Sequence, residues 1–150
     1  MTLKQQFKSA FNRCITELNN NRQQYSEYLL ALDKLEREYE QKYKQLLQGK
    51  IFVNVDNVVF LVDEVYLDTN TYITNNMPQI MTKMYVADCL DGFNYRADFL
   101  TGTLSEWYED MSGKKVVQEI KCDEFLKNML RKIIIDSYEN KVRLRKRRNI

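Results

Sequence analysis

Histidine is absent from the 150-residue chain, proline occurs once and glycine four times. The missing histidine excludes Ser-His-Asp and Cys-His nucleophiles and every zinc site built on imidazole. Any chemistry falls to carboxylates, lysines, tyrosines or cysteines. Scarce proline and glycine leave few chain breakers, so long elements are expected. The three cysteines, Cys14, Cys89 and Cys122, are an odd number with no CxxC pair. They read as core thiols of a reducing compartment, not as a disulfide framework or a zinc site. No run is long and apolar enough to span a membrane, and the first residues lack the apolar segment of a secretion signal. The expectation is a cytoplasmic protein (host cytoplasm if the source is viral), with no membrane partner and no small-molecule cofactor.

What is present is ordinary in amount and uneven in placement. Apolar residues make up 44% and charged residues 29%, the balance of a folded domain. The net charge of +2 conceals a split: residues 1–49 carry +2, residues 50–120 carry −6 and residues 121–150 carry +6. An acidic middle beside a basic end is an asymmetry that calls for a partner.

Residues 2–48 read as helix. Phe11, Leu18, Tyr25, Leu32, Tyr39 and Leu46 recur every seven residues, with Phe7, Cys14, Tyr28 and Leu35 in most of the alternate positions. Asn19, Asn20 and Asn21 are weak helix formers that divide the stretch in two, and Gly49 is placed to cap its end. Such a stripe serves as core or as a dimer seam. The expected division is a helical oligomerisation segment over residues 1–30, giving a homodimer, and a domain over 31–150.

From Lys50 the apolar period shortens to two. Residues 51–55 and 58–67 flank Asp56-Asn57 as one hairpin, and residues 81–89 and 95–103 flank Leu90-Asp91-Gly92 as a second. Residues 69–78 are turn-rich, and residues 107–121 suggest a third hairpin or an extended arm. Asp123 is positioned to cap a closing helix through about Tyr138, and Lys141 to Arg145 alternate as a short final strand. The fold class is α+β: a long N-terminal helix, a central mixed sheet of about five to six strands, and a C-terminal helix packed on it. Asp88 and Asp91 lack the spacing of a calcium loop and read as a turn, and Asp63-Glu64 as solvated.

Two segments carry candidate chemistry. Asp98 lies on the strand over residues 95–103, and Glu119 and Lys121 share a face of the next predicted strand. If those strands are neighbours, two carboxylates and an ammonium converge, and hard oxygen ligands of that kind suit Mg²⁺. The bland alternative makes Asp98 a surface partner of Arg96, and Glu119 and Lys121 the wet face of an edge strand.

This order of residues resembles the PD-(D/E)xK nuclease superfamily, and within it the small phage endonucleases and Holliday-junction-resolvase-like proteins. The resemblance rests on Tyr95 to Phe99, Val117 to Lys121, the amphipathic stretch from Phe125 to Tyr138, and Val142 to Arg145, within residues 33–145. Ala97 stands where proline is usual and Cys122 where glycine often follows the lysine. The resemblance implies a restriction-endonuclease-like core and a Mg²⁺- or Mn²⁺-dependent DNA endonuclease acting on branched DNA or recombination intermediates. Asp98, Glu119 and the Ile120 backbone carbonyl would ligate metal, Lys121 would act on water or phosphate, and Glu36 (with Glu40 as runner-up) would complete the acidic cluster. DNA contacts are expected from Lys127, Lys132, Lys141, Arg143, Arg145, Lys146, Arg147 and Arg148. The rival expectation is a non-catalytic oligomeric accessory protein, a viral assembly or nucleic-acid-binding component, using the helix and the basic end. A third option is an inhibitor of a nucleic-acid enzyme.

Overall fold

The computed structural model describes residues 2–20, 25–69, 77–91 and 94–148. Two helices lead, α1 (Leu3–Asn20) and α2 (Tyr25–Leu47). Thr2 opens α1 with a capping box: its hydroxyl accepts from the Gln5 N–H at 3.2 Å, and the Gln5 side chain accepts from the Thr2 N–H at 3.0 Å. Gly49 ends α2 in the left-handed region at φ 78° and donates its N–H to the Val62 carbonyl at 2.8 Å. A side chain there would be strained, so the helix-to-sheet corner depends on glycine.

Five strands follow the helices: β1 (Ile51–Asn54), β2 (Val59–Asp68), β3 (Gln79–Asp91), β4 (Asn94–Thr103) and β5 (Val117–Glu119). Their spatial order is β4-β3-β2-β1-β5, with every pairing antiparallel. The class is α+β as expected, with an antiparallel sheet in place of the mixed one. Both expected strand pairs form, β1 with β2 and β3 with β4. In the first, Asn57 takes φ 61°, and the Asn54 side chain accepts from the N–H groups of Asp56 and Val58. Residues 70–76 of the expected turn-rich stretch, Gly92 of the second expected turn and Asn21 lie outside the described residues.

Alternation along the strands gives the sheet two apolar faces. Phe52, Phe60, Val62 and Val65 bury against α1, α2 and the short helix α3 (Leu104–Trp107). Ile51, Leu61, Ala87 and Ala97 face the other way, against Ile134 of α4 (Glu124–Arg148). On the first face Trp107 lies 5.1 Å from Phe60 and 5.6 Å from Phe52 between ring centroids. Its indole N–H donates to the Thr82 hydroxyl at 2.9 Å, which donates in turn to the Gly102 carbonyl at 2.9 Å.

The seven-residue stripe is spent inside the chain. Phe7, Phe11 and Leu18 of α1 are buried with Leu32, Tyr39, Tyr43 and Leu47 of α2, and Phe7 stacks on Tyr39 at 4.0 Å. The stripe drifts by about 20° per heptad on a straight helix. Burial accordingly passes from the seven-spaced series to Tyr43 and Leu47, and leaves Leu46 42% exposed. The expected boundary at residue 30 falls inside α2, and Phe7, Phe11 and Leu18 of α1 join the buried core. Cys14 and Cys122 are free and half-buried, and burial pushes the Cys14 thiol up. The Cys89 side chain is outside the described residues.

Candidate functional site

The strands expected to be neighbours are the two edges of the sheet. Continuous register traces one row across it: Asp98 pairs with Val86, Val86 with Phe60, Phe60 with Phe52, and Phe52 with Glu119. At about 4.8 Å per strand, four steps separate the two carboxylates by roughly 19 Å, against ~2.1 Å for a Mg²⁺–oxygen contact. Apolar Val86, Phe60 and Phe52 fill the space between them. The physical reason lies between β4 and β5. Helix α3 and the turn closed by the Glu109–Lys115 bridge carry the chain to the far side, where β5 joins β1. Neighbours in sequence are not neighbours here, against the more frequent outcome.

Each residue of the expected metal site has other company. Asp98 bonds to Lys141 of α4. Hydrogen bonding from that ammonium, with the nearby charges of Arg96 and Arg145, holds its carboxyl below the usual range. Glu119 lies 3.5 Å from Lys50. Lys121 is exposed in the segment after β5. The Ile120 N–H donates to the Ile51 carbonyl at 2.8 Å, extending the β1–β5 pairing by one residue. Glu36 sits on α2, bordering a groove with Ile15 and Leu18 of α1 and Leu32 of α2, where burial and then Asp33 push its carboxyl up to about 7. Glu40 accepts from the Leu67 N–H at 2.8 Å, a structural role. Among the described residues no three carboxylates or thiols group so as to hold a metal. The residues do not fit the expected Mg²⁺ site.

Helix α4 organises a different feature. Asp123 caps it, accepting from the Leu126 N–H at 2.9 Å. Near the β1–β5 edge, Arg131 donates to the Gly49 carbonyl at 2.7 Å and Lys127 lies 3.7 Å from Glu124. The helix then crosses the sheet: Ile134 is 1% exposed, and Tyr138 packs 5.6 Å from Tyr85 and 6.1 Å from Phe99. Lys141 meets Asp98 at the opposite edge. The expected final strand over residues 142–145 does not form, and α4 continues to Arg148. Alternating Lys141 to Arg145 suits a strand over five residues. Yet no Gly or Pro follows Gly113, Lys, Arg and Leu are good helix formers, and cations are favourable at a helix C-terminus.

The expected phosphate-contacting residues thus separate into groups. Lys127 and Lys141 are half-buried and paired. Lys132 is exposed mid-helix. Arg143, Arg145, Lys146 and Arg147 are exposed on the last turns, and none makes a salt bridge among the described residues. The Arg148 side chain lies outside them. Arg96, which the sequence offers only as a surface partner of Asp98, joins this basic edge beside Arg145. Its signal was the hairpin register, which sets Arg96 opposite Asp88 and two residues from Asp98.

No helix among the described residues is long and apolar enough to cross a membrane. No family model, curated protein or solved structure matches the chain.

Proposed function

We propose that this chain is a non-catalytic nucleic-acid-binding accessory protein whose phosphate-contacting element is the C-terminal end of α4. One observation carries the reading: four exposed cations that make no salt bridge among the described residues stand together where α4 passes the β4 edge. Unpaired surface cations in such density repel one another, and an external polyanion relieves that repulsion while releasing its own counterions. The acidic middle of the chain, at −6 over residues 50–120, disfavours contact through the sheet itself.

Fluorescence anisotropy with labelled oligonucleotides tests this. Binding should weaken linearly with log salt, with a slope near −3 to −4 for about four neutralised phosphates. A variant carrying R143Q, R145Q, K146Q and R147Q should lose most of that slope. Mg²⁺ should neither be required nor produce cleavage. Unaltered affinity and slope in the variant would remove the proposal, and Mg²⁺-dependent cutting abolished by D98A would restore the endonuclease reading.

A further inference from the structure

The angular placement of the four cations indicates what kind of nucleic acid they meet, an inference that rests on the reading just given. At 100° per residue, Arg143, Arg145, Lys146 and Arg147 stand at roughly 0°, 200°, 300° and 40° around the helix axis. The widest gap, from about 40° to 200°, contains Lys141 at about 160°, the side tied to Asp98 on the sheet edge. The four cations therefore cover an arc of about 200° around the helix end, wider than a single stripe. A flat anionic surface uses one face of a helix. A membrane surface also needs a continuous apolar face opposite the charged one, and within residues 141–147 that sector holds one apolar side chain, Leu144 at about 100°, 57% exposed.

Anions on several sides of a rod are found in a groove walled by two phosphate strands. We infer that the end of α4 enters the major groove of B-form duplex DNA, end first and without base-specific contacts. The dimensions agree. Residues 142–148 extend past the Lys141–Asp98 contact by about 10 Å, at 1.5 Å per residue, and the groove is ~8.5 Å deep. A helix with its side chains is ~10–12 Å across and the groove is ~12 Å wide. The deep, narrow major groove of A-form RNA does not admit side chains in this way. Entry by the tip also keeps the acidic sheet away from the phosphates, whereas lying lengthwise along the duplex would bring Asp88 and Asp98 toward them.

The full-length chain is titrated against a 20-base-pair DNA duplex, the RNA duplex of the same sequence, the single DNA strand, and phosphatidylserine vesicles. DNA duplex should bind about tenfold tighter than the RNA duplex or the single strand, a difference near 1.4 kcal/mol. Methyl green, which occupies the major groove, should displace the protein, and netropsin, which occupies the minor groove, should not. R143Q and R145Q, on opposite sides of the helix, should each weaken duplex binding by a similar factor, with circular dichroism confirming that α4 is intact. Equal affinity for all three nucleic acids, displacement by netropsin alone, or sensitivity to only one of the two substitutions would overturn groove entry and leave the nucleic-acid reading standing. No binding to any nucleic acid, or binding to vesicles alone, would overturn both.

Discussion

Replacing Thr82 by valine should destabilise the fold by more than replacing it by serine. The Thr82 side chain is fully buried on β3, where its hydroxyl links the Trp107 indole N–H to the Gly102 carbonyl, both at 2.9 Å. Valine matches threonine in shape and removes only the hydroxyl. It orphans the indole N–H of a residue that is itself 5% exposed, at about 1–3 kcal/mol, and deprives the Gly102 carbonyl of a donor, at about 0.5–1.5 kcal/mol. The sum is about 1.5–4.5 kcal/mol. Serine keeps both hydrogen bonds and forfeits one methyl group, a loss comparable with Ile→Val at ~0.5–1.5 kcal/mol. A site governed by apolar burial would give the reverse order. Urea unfolding followed by fluorescence reads this cleanly, since Trp107 is the single tryptophan. With a denaturant slope of ~2 kcal/mol per molar, T82V should lower the midpoint by about 1–2 M and T82S by well under 1 M. Wild-type stability in T82V, or a larger loss in T82S, would refute the argument that this buried link holds α3 to the sheet.

Three further outcomes follow from the packing and the charges. F7A should cost about 3–5 kcal/mol in urea unfolding, because Phe7 is 3% exposed and stacked on Tyr39, and should leave the molecular mass in sedimentation unaltered; a dissociating oligomer with little loss of stability would instead make α1 a seam between chains. Because folding raises the Glu36 carboxyl to about 7 from an ordinary 4.5, the stabilisation by its neutral form is complete below pH 4.5 and is lost as pH rises through 7. E36Q should therefore be more stable than wild type at pH 8, by about 1–2 kcal/mol once partial exposure is allowed for, and equal to it at pH 4; equal stability at both would count against a burdened carboxylate. D98N should strengthen nucleic-acid binding measured by anisotropy, since it frees Lys141 and removes a negative charge near Arg145, whereas a metal ligand would lose function on the same substitution.

Local features were legible in the sequence because their causes are local. The β1–β2 turn was announced by Asp56-Asn57, the end of α2 by Gly49 and the start of α4 by Asp123, and each performs the expected task through its own backbone geometry or side chain. The second hairpin followed from its period of two. What stayed hidden depends on distant partners. β5 is three residues long, and nothing within Val117 to Glu119 says whether it pairs with β4 or β1. A one-edge error moved Glu119 about 19 Å from Asp98 and dissolved the expected acidic site. The α1 stripe was visible, but a heptad pattern does not specify whether its complement lies on another chain or on α2. The alternation in Lys141 to Arg145 fits strand and helix alike, and the helix already growing from Asp123 decides it. The basic end itself was read correctly as charge, and its shape was not.

The route of α4, from the β5 edge to the β4 edge, makes it a brace fastened at both rims. During synthesis the first four strands can zip together in order as they leave the ribosome, each beside its predecessor. The brace follows all five strands along the chain, so Arg131 reaches the Gly49 carbonyl and Lys141 reaches Asp98 only after the residues of the sheet have emerged. The cationic tip therefore acquires its fixed aim last, so a truncated product would present the acidic sheet without the arm that reaches for phosphate.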